Sequence, residues 1–137
     1  MRIVSALVAR DVEACWRVFT DFATLPRWVP GLKAAKLVTF DVEGLPAEVR
    51  FDYVAGLTYS LEYTYDTEAW VVRWEPIDEE GKRGGVRGFA RFVAVEGGTQ
   101  VTYALEHDTG RKAAERALDD PRTLLEAFAN FMHEDRD

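Results

Sequence analysis

The sequence predicts an α+β domain, in which about seven antiparallel strands wrap around a long C-terminal helix and two short helical elements follow the first strand. Three observations carry this prediction. From Lys33 to Asp108 apolar and polar residues alternate with a period of two. The breaks in that alternation carry the glycines and prolines of hairpin turns. After Asp120-Pro121 the apolar residues change to helical spacing.

The N-terminal residues 2–8 read as a strand. One early positive charge and a short apolar stretch do not make a signal peptide, which needs a longer apolar region and a small-residue cleavage site. A cytoplasmic protein is therefore expected. Asp11 offers an N-cap, and Val12, Cys15, Trp16 and Phe19 follow at helical spacing, giving a first helix over about 12–21. The segment Thr24-Leu25-Pro26-Arg27-Trp28-Val29-Pro30-Gly31 holds two prolines and a glycine. It has room for one helical turn before the chain must extend.

The strands follow in order. Val49, Phe51, Tyr53 and Ala55 alternate with Glu48, Arg50 and Asp52. Tyr59, Leu61, Tyr63 and Tyr65 alternate with Ser60, Glu62, Thr64 and Asp66. Trp70, Val72 and Trp74 share a face opposite Val71, Arg73 and Glu75. Ala90 and Phe92 oppose Arg87 and Arg91, and Val101, Tyr103 and Leu105 oppose Gln100, Thr102 and Glu106. Such alternation marks strands with one buried and one wet face. Turns are expected at Gly44-Leu45-Pro46, Ala55-Gly56, Gly81 to Gly85 and Gly97-Gly98. The first strand adds at one edge of this meander. Residues 111–118 read as a short lead-in helix that breaks at Asp119-Asp120-Pro121. Leu124, Leu125, Phe128, Phe131 and Met132 then form the apolar stripe of the terminal helix. No repeat or linker divides the chain, so 1–137 reads as one domain.

Composition excludes several functions. The net charge of −7 argues against nucleic acid, whose binding rests on Lys and Arg neutralising phosphates. No run approaches the ~18 apolar residues of a membrane span. One cysteine, Cys15, and two histidines make no metal cage, and no cofactor is expected. Cys15 reads as a buried structural thiol. Neither Ser5 nor Ser60 sits in a nucleophile elbow. The charged residues Arg50, Arg73, Arg87 and Arg91 read as a solvated outer face.

Three stretches carry a family resemblance. Cys15-Trp16-Arg17-Val18-Phe19-Thr20-Asp21-Phe22 resembles a Val-Trp-x-x-x-x-Asp segment, with Cys15 in place of the usual aliphatic residue. Pro26-Arg27-Trp28-Val29-Pro30-Gly31 is similar to a Tyr/Leu-Pro-x-Trp-x-Pro-Gly run, and Gly97-Gly98-Thr99-Gln100-Val101-Thr102-Tyr103 to a Gly-Gly-Thr-x-Val-x-Tyr hairpin. Together and in this order they resemble the helix-grip (SRPBCC) superfamily of START-type lipid-binding domains, polyketide cyclases and dehydratases, and birch-pollen-allergen-like proteins. The bacterial branches it resembles most are polyketide cyclase/dehydratase and coenzyme-Q-binding START-like proteins. The resemblance spans essentially the whole chain and implies the fold. It does not select an activity, because the superfamily hosts carriers, cyclases, oxygenase subunits and regulators.

The aromatic residues are the main functional signal. Trp28, Phe51, Tyr53, Tyr59, Leu61, Tyr63, Trp70, Trp74, Phe92, Tyr103 and Phe128 are the expected ligand-binding wall, with Trp28 near an entrance. The competing reading is a packed core. Tyrosine favours the cavity, since buried hydroxyls need partners that Leu, Ile and Val do not. A dry pocket of roughly 300 Å³ would cost about 7 kcal/mol at ~24 cal/mol per Å³. Such a pocket must therefore be wet, filled, or closed by these side chains. His107, in phase with Val101, Tyr103 and Leu105, is a candidate proton carrier at the cavity mouth, with Tyr103 beside it; the alternative is a strand-end histidine near solvent. His133, at the end of the last helix, reads as a complement to its dipole.

The leading function is binding, with transport or presentation, of a hydrophobic or aromatic small molecule. The alternative is a polyketide aromatase/cyclase or dehydratase without metal, moving protons with cavity polar groups. The two differ in whether a histidine, arginine or acid points into the cavity beside the tyrosines. A third reading is an interaction module whose aromatic surface meets another protein, for example in a homodimer.

Overall fold

The computed structural model describes residues 1–77, 85–108 and 111–134. In chain order they form β1 (Arg2–Val8), α1 (Val12–Phe19), a 3₁₀ turn (Phe22–Arg27), β2 (Leu32–Phe40), β3 (Pro46–Tyr53), a short turn (Val54–Gly56), β4 (Thr58–Asp66), β5 (Val71–Pro76), β6 (Val86–Val95), β7 (Gly98–His107), α2 (Ala113–Leu118) and α3 (Pro121–His133). The turn expected over 81–85 lies, up to residue 84, outside the described residues.

The strands make one seven-stranded sheet in the order β1-β7-β6-β5-β4-β3-β2, every pair antiparallel. Consecutive strands from β2 to β7 are neighbours, as a meander requires, and β1 adds beside β7 at the edge. Inner-face side chains pack onto α1 and α3, which bury Cys15, Trp16, Phe19, Leu124, Leu125, Phe128, Phe131 and Met132. Arg50, Arg73, Arg87 and Arg91 are exposed. Among the described residues no helix is long and apolar enough to cross a membrane.

Side-chain caps set both main helices. Asp11 accepts from the Ala14 N–H at 2.7 Å, and Asp120 from the Thr123 N–H at 3.1 Å, with Pro121 at the first helical position. α1 stops at Phe19, two residues short of the expected end. There the Thr20 hydroxyl and N–H both turn back to the Trp16 carbonyl. His133 differs from its expected role as well. Its Nε2 accepts the Ala9 N–H at 3.0 Å, so that nitrogen carries no proton here, and the ring ties the end of α3 to the end of β1. Cys15 is fully buried, and burial pushes its thiol up in pKa, as suits an inert core residue.

One glycine shapes the inner face. Gly88 on β6 lies opposite Trp74 on β5. A Cβ on Gly88 would stand 1.9 Å from the Ala104 carbonyl oxygen and 3.1 Å from the Trp74 ring. A side chain there would collide with the Ala104 backbone and crowd the indole.

Candidate functional site

Between the sheet, the 3₁₀ turn and the start of α3 lies a cavity of about 40 Å³ within reach of water centres. A single water needs roughly 10–15 Å³ on that measure, so the space holds about three. Left dry it would cost about 1 kcal/mol at ~24 cal/mol per Å³, a burden a folded domain tolerates. The aromatic side chains have thus closed most of the grip and left a narrow cavity.

The expected wall divides in two. Trp28, Phe51, Tyr53, Tyr59, Leu61, Tyr63, Trp74 and Tyr103 line the cavity. Trp70, Phe92 and Phe128 do not, and the reason is local. Trp70 precedes β5 and has a left-handed backbone (φ 56°), which takes it out of phase with Val72 and Trp74. Its ring packs edge-on against Trp16 of α1, with 5.4 Å between centroids. Phe92 and Phe128 are covered by α1 through Phe19, at 5.3 and 5.6 Å. Trp28 lines the cavity but does not stand at a mouth. It is buried, with its ring 5.2 Å from Phe128. Its indole N–H and that of Trp74 have no protein acceptor among the described residues.

One end of the cavity is polar. Asp119, 2 % exposed, lines it from the break between α2 and α3. Its Oδ1 accepts from His107 Nε2 at 2.7 Å and from Arg111 Nη2 at 2.9 Å, while Oδ2 accepts from the Tyr59 hydroxyl at 2.9 Å. The Tyr53 hydroxyl lies 3.2 Å from that of Tyr59. Arg111, as buried as Asp119, supplies the counter-charge. Its guanidinium stands over the Tyr59 ring and donates to the Glu115 carbonyl oxygen. His107 therefore sits behind the acid, its side chain 15 % exposed, and is not part of the lining. The Nε2 proton follows from a partner that can only accept.

The hydroxyls of Tyr63 and Tyr103 have no protein hydrogen-bond partner among the described residues, although both rings line the cavity. Burial pushes Tyr53, Tyr59, Tyr63 and Tyr103 well above the ordinary tyrosine range; the charge of Asp119 adds to the effect at Tyr53, Tyr59 and Tyr103, and neighbouring tyrosines add to it at Tyr59, Tyr63 and Tyr103. All four are neutral phenols at physiological pH. Among the described residues no group of three or more His, Cys, Asp or Glu side chains could hold a metal ion.

Sequence reasoning missed Asp119 and Arg111. Asp119-Asp120-Pro121 reads as a cap followed by a proline, yet one cap needs only one aspartate. That surplus acid was the available signal. Arg111 gave none, being one of many arginines beside a predicted helix.

An antiparallel sheet gripping a terminal helix, with a cavity between them, defines the START-like helix-grip fold. No family model matches the sequence, and no curated protein matches it either. Solved structures do match in shape. A START superfamily protein from Mycobacterium smegmatis aligns with a TM-score of 0.75 at 15 % identity, covering 96 % of this chain and 95 % of that one. A STAR-related lipid transfer protein from Xanthomonas axonopodis gives 0.75 at 18 % identity over 96 % and 85 % of the two chains. The Zhui aromatase/cyclase from a Streptomyces species gives 0.67 at 17 % identity over 96 % and 84 %. At these identities the likeness establishes the fold.

Proposed function

We propose that the protein binds a hydrophobic or aromatic small molecule between its sheet and terminal helix, as a carrier or presenting protein. The carrying observation is a ring-lined cavity with an anchored polar end. The lipid-transfer and START proteins of the same shape agree with this reading. The ligand enters by widening the cavity. α2 is the element best able to give way, because none of its residues is buried. Leu118 at its end meets the prolyl segment near Gly31, where a Cβ would lie 3.3 Å from the leucine side chain. An excess of negative charge keeps nucleic acid out of the reading.

One observation favours the cyclase or dehydratase reading: an acid lines the cavity beside tyrosines, as the aromatase/cyclase likeness would suit. Its hydrogen bonding weakens that case. A carboxylate that already accepts three bonds, two of them on one oxygen, is a well-fixed anchor whose lone pairs are largely taken. Native mass spectrometry of the purified protein tests binding through a retained small molecule. Tryptophan fluorescence titrated with flat apolar probes tests it independently. Saturable quenching is expected; the absence of both a retained small molecule and saturable quenching would refute the proposal.

A further inference from the structure

We propose that the cavity takes a neutral apolar ligand carrying a carbonyl oxygen, held by hydrogen-bond donors that have no other partner; this rests on the ligand-binding reading above. The carrying observation is a pair of indoles. Trp28, which caps the end of the 3₁₀ turn, and Trp74 on β5 both line the cavity. They are 7 % and 3 % exposed, and their Nε1 atoms are shut off from solvent with no acceptor among the described residues. An indole N–H can only donate. A buried donor left unpaired gives up the bond that water made to it in the unfolded chain. A guest that widens this cavity and brings an acceptor to either indole restores that bond.

The phenols beside them add to the donors. Tyr59 donates to Asp119 and towards Tyr53, so Tyr53 keeps its own proton. The hydroxyls of Tyr63 and Tyr103 have no protein partner among the described residues, and each has a proton to give. Asp119 is the one side chain of the lining that can only accept, and His107, Arg111 and Tyr59 already hold it. The lining thus presents protons that no group within reach receives. A carbonyl oxygen has two lone pairs, brings no proton of its own, and receives two donors at once. A hydroxyl accepts too, but adds a proton to a lining that already carries unpaired ones. An ether oxygen accepts more weakly and is crowded by carbon on both sides. A carboxylate would place a second negative charge where Arg111 matches only that of Asp119, and where burial already keeps the tyrosines neutral.

The test is a ¹⁵N–¹H NMR titration of the full chain with acetophenone and with α-methylstyrene, nearly the same shape but with C=CH₂ in place of C=O. The indole signals of Trp28 and Trp74 are assigned through their ring contacts to Phe128 and Tyr103. Acetophenone should move the Trp28 or the Trp74 N–H signal downfield, as a new hydrogen bond does, and α-methylstyrene should not. The ratio of the two affinities reads the bond separately, and should shift against the ketone by about fivefold or more in Trp28→Phe or Trp74→Phe. A variant that merely spoils the cavity weakens both probes together and leaves the ratio unchanged. Where a variant does not fold, the wild-type shifts decide. Binding of the alkene alone, identical indole shifts from both probes, or a ratio unchanged in both variants overturns the carbonyl preference and leaves ligand binding standing. The preference also fails alone if neither probe binds while flat apolar probes still quench tryptophan fluorescence. If nothing binds, ligand binding fails and this inference with it.

Discussion

Replacing Asp119 with alanine should be among the most damaging single changes in the chain. Asp119 and Arg111 have side chains only 2 % and 1 % exposed. The substitution removes the carboxylate facing a buried guanidinium, together with the acceptor for Tyr59 and His107. Breaking a buried ion pair from one side costs about 3–5 kcal/mol. That is a large share of the roughly 5–15 kcal/mol that holds a domain of this size. With a urea m-value of about 2 kcal/mol per molar, the unfolding midpoint should fall by about 2 M. Asp119→Asn keeps the shape and one accepting oxygen, so its midpoint should lie between wild type and alanine. Urea titration followed by circular dichroism and by tryptophan fluorescence checks both variants. A drop below about 0.5 M for the alanine variant, the behaviour of a solvent-exposed pair, would mean that water already reaches the cluster. The account of a sealed polar anchor would then be wrong.

The other predictions concern the rings around that anchor. All five tyrosines are held above their ordinary range, Tyr65 through its burial and the nearby charge of Asp41. The folded chain thus keeps protons that the unfolded chain releases above about pH 10, so stability is full below that pH and is lost as pH rises through it. Absorbance at 295 nm should show little phenolate until the protein unfolds, in one cooperative step; gradual ionisation near pH 10 with structure intact would contradict this. Trp74→Leu should weaken saturable binding of a flat apolar probe, whereas Trp70→Leu should leave it within about twofold, the scale of a lost contact outside the site. Equal effects would put Trp70 back on the cavity wall. Gly88→Ala should destabilise the fold by about 2 kcal/mol or more through the clash with the Ala104 carbonyl and Trp74, read as a lowered melting temperature; an unchanged melting temperature would refute that close approach.

The strands were legible because a half-buried antiparallel strand writes its two faces into alternate residues. Val49-Phe51-Tyr53 and Val101-Tyr103-Leu105 lie buried as that pattern requires. The terminal helix was equally legible from Asp120, Pro121 and the stripe at Leu124, Leu125, Phe128, Phe131 and Met132. The pattern failed at Trp70. Strict alternation groups it with Trp74, but alternation holds only while the backbone stays extended, and one left-handed residue ends it. Phe92 and Phe128 mark a different limit. Alternation says that a side chain points inward, not what it meets there, and α1 had already covered that half of the sheet. Asp119 and Arg111 are eight residues apart and meet only because α2 folds between them, a closure with no sequence period.

The division of the inner face also bears on function. At one end Trp16 and Phe19 of α1 interlock with Trp70, Phe92 and Phe128 at centroid distances of 5.3 to 5.7 Å, without a polar atom that needs a partner beyond the indole N–H groups. Edge-on pairs of this kind add about 0.5–1.5 kcal/mol each to the burial of their rings. They give the sheet and α3 a firm hold on each other. At the other end Tyr53, Tyr59, Tyr63 and Tyr103 line the cavity beside Trp28, Phe51 and Trp74, and α2, which leads into Asp119, has no buried residue. Opening that end disturbs little apolar packing. A grip rigid at one end and lightly covered at the other can admit a guest without unfolding. An apolar core filled evenly from end to end could not, because every ring moved would leave an uncompensated void.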